Sequence, residues 1–144
     1  MGLPIEQEKF SETEIESFSE RLEANLVALR DLLARPGYGA GPPSIGAELE
    51  SSIIDASGRA LLVNEAALER VPDPRTQLEL VGFNVELNLT PVPTAGHPFS
   101  ALEAELDEGI ELMDRGCRAE GGRLLPIGIV PTLRLEDLRP ECVT

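Results

Sequence analysis

The 144-residue chain predicts an α+β fold: a mainly antiparallel β-sheet with two long helices packed on one face. Three observations carry this. Apolar residues recur every three or four positions in segments 11–37 and 96–122, the period of an amphipathic helix. Between residues 44 and 91 the period drops to two, as in half-buried strands. The strand-like stretches are joined by hairpin-like or helical connections, an arrangement that favours antiparallel pairing.

The first element is a helix over "SETEIESFSERLEANLVALRDLLARPG". Ser11 is its expected N-cap, with Glu14 three residues on completing a capping box, and Pro36 and Gly37 stop it. Ile15, Phe18, Leu22, Leu26, Leu29 and Leu33 form one apolar stripe that needs a partner surface. The following "PGYGAGPP" reads as a linker. Its glycines superficially suggest a dinucleotide fingerprint, but no strand precedes them and two prolines follow. Residues 1–43 are therefore read as helix plus linker, and 44–144 as the sheet domain.

"SIGAELESSIID" is a strand, "DASGR" a turn and "ALLVN" a returning strand, together a hairpin. Asp55 and Ser57 in that turn faintly resemble a calcium loop, which the missing central glycine and final glutamate exclude. "NEAALERVPDPR" is a short helical turn closed by Pro72 and Pro74. "TQLELVGFNVELNLTP" is an unusually long strand with Gly82 in its middle. "GHPFSALEAELDEGIELMDRGCRAEGG" is the second long helix, with a capping box at Ser100 and Glu103. Leu102, Leu106, Ile110, Met113 and Cys117 face inward there, and Glu103, Asp107, Glu111 and Asp114 outward. "RLLPIGIVP" is a last apolar strand, and a polar tail follows.

Composition narrows the chemistry. With 3% aromatics and no Trp, the core rests on Leu, Ile, Val and Ala, and a pocket lined by stacked rings is not expected. Twelve basic against 26 acidic residues, a net charge of −14, oppose nucleic-acid backbones and anionic membranes as partners. Cys117 and Cys142 lack metal or redox spacing and read as reduced thiols. The N-terminus has neither a basic region nor an apolar leader segment, and no apolar run approaches the roughly 20 residues of a membrane span. A cytoplasmic protein is expected. His97, the only histidine, precedes a proline at a helix entrance, so it reads as a surface or capping residue, and no triad or zinc site can be built on it.

The distinctive feature is acidic. Alternation puts Glu48 and Glu50 on one strand face, roughly 6.5–7 Å apart at Cα, while Ile45, Ala47 and Leu49 take the other. In the second long strand Asn84, Glu86 and Asn88 oppose Val85, Leu87 and Leu89. Its upstream half, with Leu78 and Leu80 apolar and Gln77 and Glu79 polar, is out of phase. A one-residue bulge at Gly82 would restore the phase and bring Glu79 onto the face of Glu86. Four carboxylates, Glu48, Glu50, Glu79 and Glu86, would then share a surface where only a cation or protons relieve their repulsion, and Mg2+ accepts such hard oxygen donors. The plain alternative is a half-exposed sheet with its acids in water.

In order and spacing, "IGAELE", "DASGR", "PRTQLELVGFNVELNLTP", "FSALEAELD" and "LPIGIVPTL" resemble the N-terminal part of the glutamate-cysteine ligase family and its carboxylate-amine ligase relatives, over residues 45–133. Gly46, Glu48 and Glu50 match that family's first-strand pattern, and Glu79, Glu86, Thr90 and Pro91 match the second. The resemblance implies a glutamine-synthetase-like sheet whose acidic face binds Mg2+ and ATP. It implies phosphorylation of a glutamate side-chain carboxylate, and attack on the acyl phosphate by an amine such as that of cysteine, the ligation step of glutathione biosynthesis. Carried over residue by residue, Glu48, Glu50, Glu79 and Glu86 are metal ligands, Asn88 is a substrate contact and no side chain is a nucleophile. Family members are longer, so this chain by itself is expected to be too short for ligation and to self-associate through an open sheet edge. The competing expectation is an acidic, non-catalytic binding or assembly domain that docks through its long first helix.

Overall fold

The computed structural model describes residues 9–143; the N-terminal residues read above for a leader, 1–8, lie outside them. The chain forms two compact units, Met1–Pro42 and Pro43–Thr144. The first holds helix α1, Glu12–Leu33, which opens with the expected capping box: Ser11 Oγ accepts from the Glu14 amide and the Glu14 carboxylate accepts from the Ser11 amide. Of the two helices expected to pack on the sheet, α1 contains no buried residue. Its charged first turn and capping account for a helix, but not for a covered face.

The second unit is mixed α and β. It contains strands β1 (Ser44–Ile45), β2 (Glu48–Ile54), β3 (Thr76–Leu78), β4 (Asn84–Asn88), β5 (Val92–Pro93) and β6 (Arg123–Leu125), with helices α2 (Asn64–Glu69) and α3 (Pro98–Ala119). β1 and β5 form a two-stranded ribbon, and the main sheet has the order β3-β4-β2-β6 with every pairing antiparallel. The partner of β2 opposite β4 is β6, not the returning strand expected at 60–64. Ala60 makes a single bridge to Ile54, and the chain then turns into α2. The Asp55 side chain closes that turn through its Oδ1, which accepts from the Ser57 amide and hydroxyl and from the Arg59 amide, at 2.7–2.9 Å.

One face of the sheet carries the core. Ile53, Val85, Leu87 and Leu89 meet Ala67 of α2 and Leu102, Met113 and Cys117 of α3. Two glycines let α3 approach this closely. A Cβ at Gly109 would collide with the Leu87 side chain, and one at Gly116 with the Ala67 carbonyl. The stripe of α3 is thus Leu102, Gly109, Met113, Gly116 and Cys117, with Leu106 and Ile110 half-buried. Cys117 lies among these groups, and its burial pushes the thiol up to about 11, so it stays protonated and unreactive at neutral pH.

Three further expectations are corrected. α3 starts at Pro98 with exposed His97 as N-cap and no side-chain cap bond; proline is preorganised for the first helical position, which leaves Ser100 inside the first turn. Asp114 is not a free surface acid, because it accepts from the Leu124 amide at 3.0 Å and from Arg118 Nε at 2.6 Å, tying α3 to β6. The last strand covers only 123–125 of the nine residues in "RLLPIGIVP". Pro126 ends it, since proline cannot continue a ladder as donor.

Candidate functional site

The segment 76–91 is not one bulged strand. It is a hairpin, with β3 antiparallel to β4 in the register Thr76↔Leu87, Gln77↔Glu86 and Leu78↔Val85. The chain reverses over Val81–Asn84, where the Asn84 amide donates to the Val81 carbonyl at 2.7 Å. Gly82 has no left-handed backbone. Its value is space, because a Cβ there would sit 3.3 Å from Leu62 Cβ and 3.4 Å from the Cys142 carbonyl. Asn64, buried at the start of α2, pins the reversal: its Nδ2 donates to the carbonyls of Val81 at 3.3 Å and Asn84 at 3.1 Å, and its own amide donates to the Gly82 carbonyl at 3.0 Å.

The hairpin solves the phase problem that called for a bulge. Facing residues in an antiparallel pair project on the same side. Leu78 therefore joins Val85 on the core face, and Gln77 joins Glu86 on the other. Glu79, two residues beyond Gln77, follows it. The same logic places β2, where Glu48 faces Asn88 and Glu50 faces Glu86. Glu48, Glu50, Glu79, Glu86 and Asn88 thus all belong to the sheet face turned away from the core helices.

Within that face the residues are unequal. Glu48 and Glu50 are exposed, while Glu79, Glu86 and Asn88 are half-buried. Glu86 lies at the centre, and its pKa is raised above the usual carboxylate value. The neighbouring Glu79 carboxyl, close enough to share a proton with it, is the largest cause; burial adds to it, and the Glu48 charge contributes further. The Asn88 amide, near Glu86 but outside hydrogen-bonding geometry, works in the opposite direction. Its buried Nδ2 and the buried Oδ1 of Asn84 on the same strand face have no hydrogen-bond partner.

Arginine is spent elsewhere. Arg75, next to β3, is held by Asp73 at 2.8 Å and by Glu105 of α3 at 3.3 Å. Glu105 also accepts from the Thr90 amide at 3.0 Å and its hydroxyl at 2.8 Å. Thr90 therefore serves the junction between β4 and α3, and Glu105, which its place on an outwardly acidic helix did not distinguish, is a structural residue. Arg59 is likewise engaged by Glu136 and Asp137 in the C-terminal segment.

Fitness for a cation follows from these positions. The donors are hard oxygens on one face, and the Glu79–Glu86 carboxyls are already adjacent. Among the described residues, however, no three His, Cys, Asp or Glu side chains stand together in a group able to hold a metal ion. An all-protein cage is absent there, whereas a pair of carboxylates that leaves coordination positions for water and phosphate oxygens is the usual protein share of a Mg2+ site. Among the described residues, no helix is long and apolar enough to cross a membrane. No family model, no curated protein and no solved structure matches the chain.

Proposed function

We propose that the second unit is the N-terminal portion of an ATP-dependent carboxylate-amine ligase of the glutamate-cysteine ligase type, with a glutamine-synthetase-like sheet. The observation that supports this reading best is the register of β2, β4 and β3, which gathers Glu48, Glu50 and Glu86 on one face with Asn88 beside them, while Glu79, just past the end of β3, lies against Glu86. Glu79 and Glu86 would hold Mg2+ together, with Glu48 and Glu50 along the neighbouring strand, and Asn88 would contact substrate through its unpaired amide. Bound Mg2+ would supply charge neutralisation for ATP and for the phosphoryl group passed to a glutamate carboxylate. The side chains of this face bind and orient, and none acts as a nucleophile. The substrate classes are a nucleotide triphosphate, glutamate and an amine such as cysteine.

The raised pKa of Glu86 suits this role. Two adjacent carboxylates on a half-buried face are strained when both are ionised, and a divalent cation relieves that strain by displacing the proton. Titration calorimetry of the full chain with Mg2+ and ATP tests the reading. Saturable binding is expected that needs both components, weakens as pH falls into the range where Glu86 takes up a proton, and is lost in Glu86→Gln and Glu79→Gln while the fold persists. A flat titration of the folded wild-type chain, or undiminished binding in both variants, refutes it.

A further inference from the structure

The apolar stripe of α1 is the largest feature that the acidic face does not use. Ile15, Phe18, Leu22, Leu26, Leu29 and Leu33 remain between 46% and 60% exposed, although at about 100° per residue they fall within an arc of about 80°. Scattered exposed apolar side chains need no explanation, but six large ones on one side of one helix do.

We propose that this stripe pairs with the α1 stripe of a second copy of the chain, antiparallel. Two properties of the segment select this occupant. The first is that the stripe is symmetric under reversal. About a two-fold axis near Ala24, Ile15 of one copy meets Leu33 of the other, Phe18 meets Leu29 and Leu22 meets Leu26, so that every large side chain finds an apolar counterpart. The second is charge. Residues 12–23 carry Glu12, Glu14, Glu16, Glu20 and Glu23 against the single Arg21, whereas residues 24–35 carry Arg30 and Arg35 against the single Asp31.

A parallel pair would stack the five glutamates on themselves. The antiparallel pair lays the acidic half of each helix along the basic end of the other, and it brings Glu16, which lies on the same flank of the helix as Arg30, level with Arg30 of the second copy, twice. The helix macrodipoles are opposed in the same arrangement, which adds to the preference.

Burial sets the strength. Covering the exposed halves of six large apolar side chains removes on the order of 500 Å² per copy, below the roughly 800 Å² per partner of a standard stable interface. The dimer is therefore weak and concentration-dependent, and the test is centred on a Kd on the order of 10 μM.

Sedimentation velocity of the full chain, run from about 2 to about 200 μM across that expected Kd, tests the pairing. The wild type should shift from monomer to dimer over this range. Leu22→Asp with Leu26→Asp should stay monomeric at every concentration while circular dichroism shows the helix content retained. Glu16→Arg, which sets one arginine against Arg30 of the other copy at each end of the pair, should weaken dimerisation at least tenfold, and adding Arg30→Glu should restore it. A wild type that stays monomeric overturns the proposal, whether its stripe is then found open or covered by another part of the chain. So does a dimer that survives the double aspartate variant, because it would use another surface. Tighter dimerisation of Glu16→Arg alone overturns the antiparallel orientation, in which that glutamate is matched to Arg30 of the second copy.

Discussion

Asn64 offers the sharpest test of how the acidic face is assembled. It is only 4% exposed, and its side chain spends three hydrogen bonds on the hairpin and on its own helix: Nδ2 to the Val81 and Asn84 carbonyls, and Oδ1 from the Glu65 amide at 2.8 Å. Asn64→Ala removes all three. The two carbonyls are not orphaned, because Val81 still accepts from the Asn84 amide and Asn84 still accepts weakly from the Glu79 amide, at 3.4 Å. The full penalty for a buried unsatisfied group therefore does not apply, and the loss is about 1 kcal/mol for each bond removed. A loss of about 2–3 kcal/mol in all is expected, which for a unit of this size lowers Tm by roughly 10–20 °C. Urea unfolding followed by far-ultraviolet circular dichroism reads the change directly, since the midpoint should fall with little change of slope. Asn64→Asp keeps the acceptor for Glu65 but aims a carboxylate at two carbonyls, so it should be at least as destabilising. A loss below about 1 kcal/mol in both variants would mean that the reversal at 81–84 holds itself, and that Asn64 does not set the hairpin.

Two further outcomes follow from the same packing and charge. Glu86 has its pKa raised by Glu79, by burial and by Glu48, so its protonated form belongs to the folded state: the contribution is fully present below the ordinary glutamate value and is lost as pH rises through the raised one. Glu86→Gln should accordingly stabilise the fold at pH 7, with the gain shrinking towards zero near pH 4; urea midpoints at the two pH values check it, and an equal gain at both would exclude charge repulsion as its source. Gly116→Ala meets the Ala67 carbonyl and Val71. Backbone cannot move aside cheaply, so overpacking of about 1–3 kcal/mol outweighs the roughly 1 kcal/mol gained in helix propensity. Gly109→Ala presses instead on the end of the Leu87 side chain and should cost less; thermal melts that rank the two the other way would refute this account of α3.

Much of this was legible residue by residue. The Ser11–Glu14 box and the placement of Glu48 with Glu50 and of Glu86 with Asn88 depend on neighbours within a turn or two of chain, and local periodicity reports those directly. The shared face of Glu79 and Glu86 comes from a reversal and not from the bulge that the alternation suggests. A bulge and a tight reversal impose the same shift of phase on a two-residue alternation, and only the Asn64 clamp and the room for Gly82 against Leu62 and Cys142 choose the reversal. Asp114 and Glu105 on α3 were hidden for a similar reason, since an outward acid and an acid that caps a distant strand or loop have the same helical spacing.

Local patterning therefore accounts for the amphipathic α1 and for the acidic and apolar sides of β2 and β4, and it lacks the histidine and cysteine spacing that zinc or triad chemistry requires. Long-range contacts settle that β6 rather than residues 60–64 completes the sheet beside β2, that 76–88 folds back on itself, and that Glu86 has its pKa raised by Glu79 and Glu48. The physical reason is range. Capping and alternation are fixed by contacts between residues close in the chain, whereas strand partners and overlapping carboxylate fields arise between segments tens of residues apart, and their energies exist only once the core has brought those segments together.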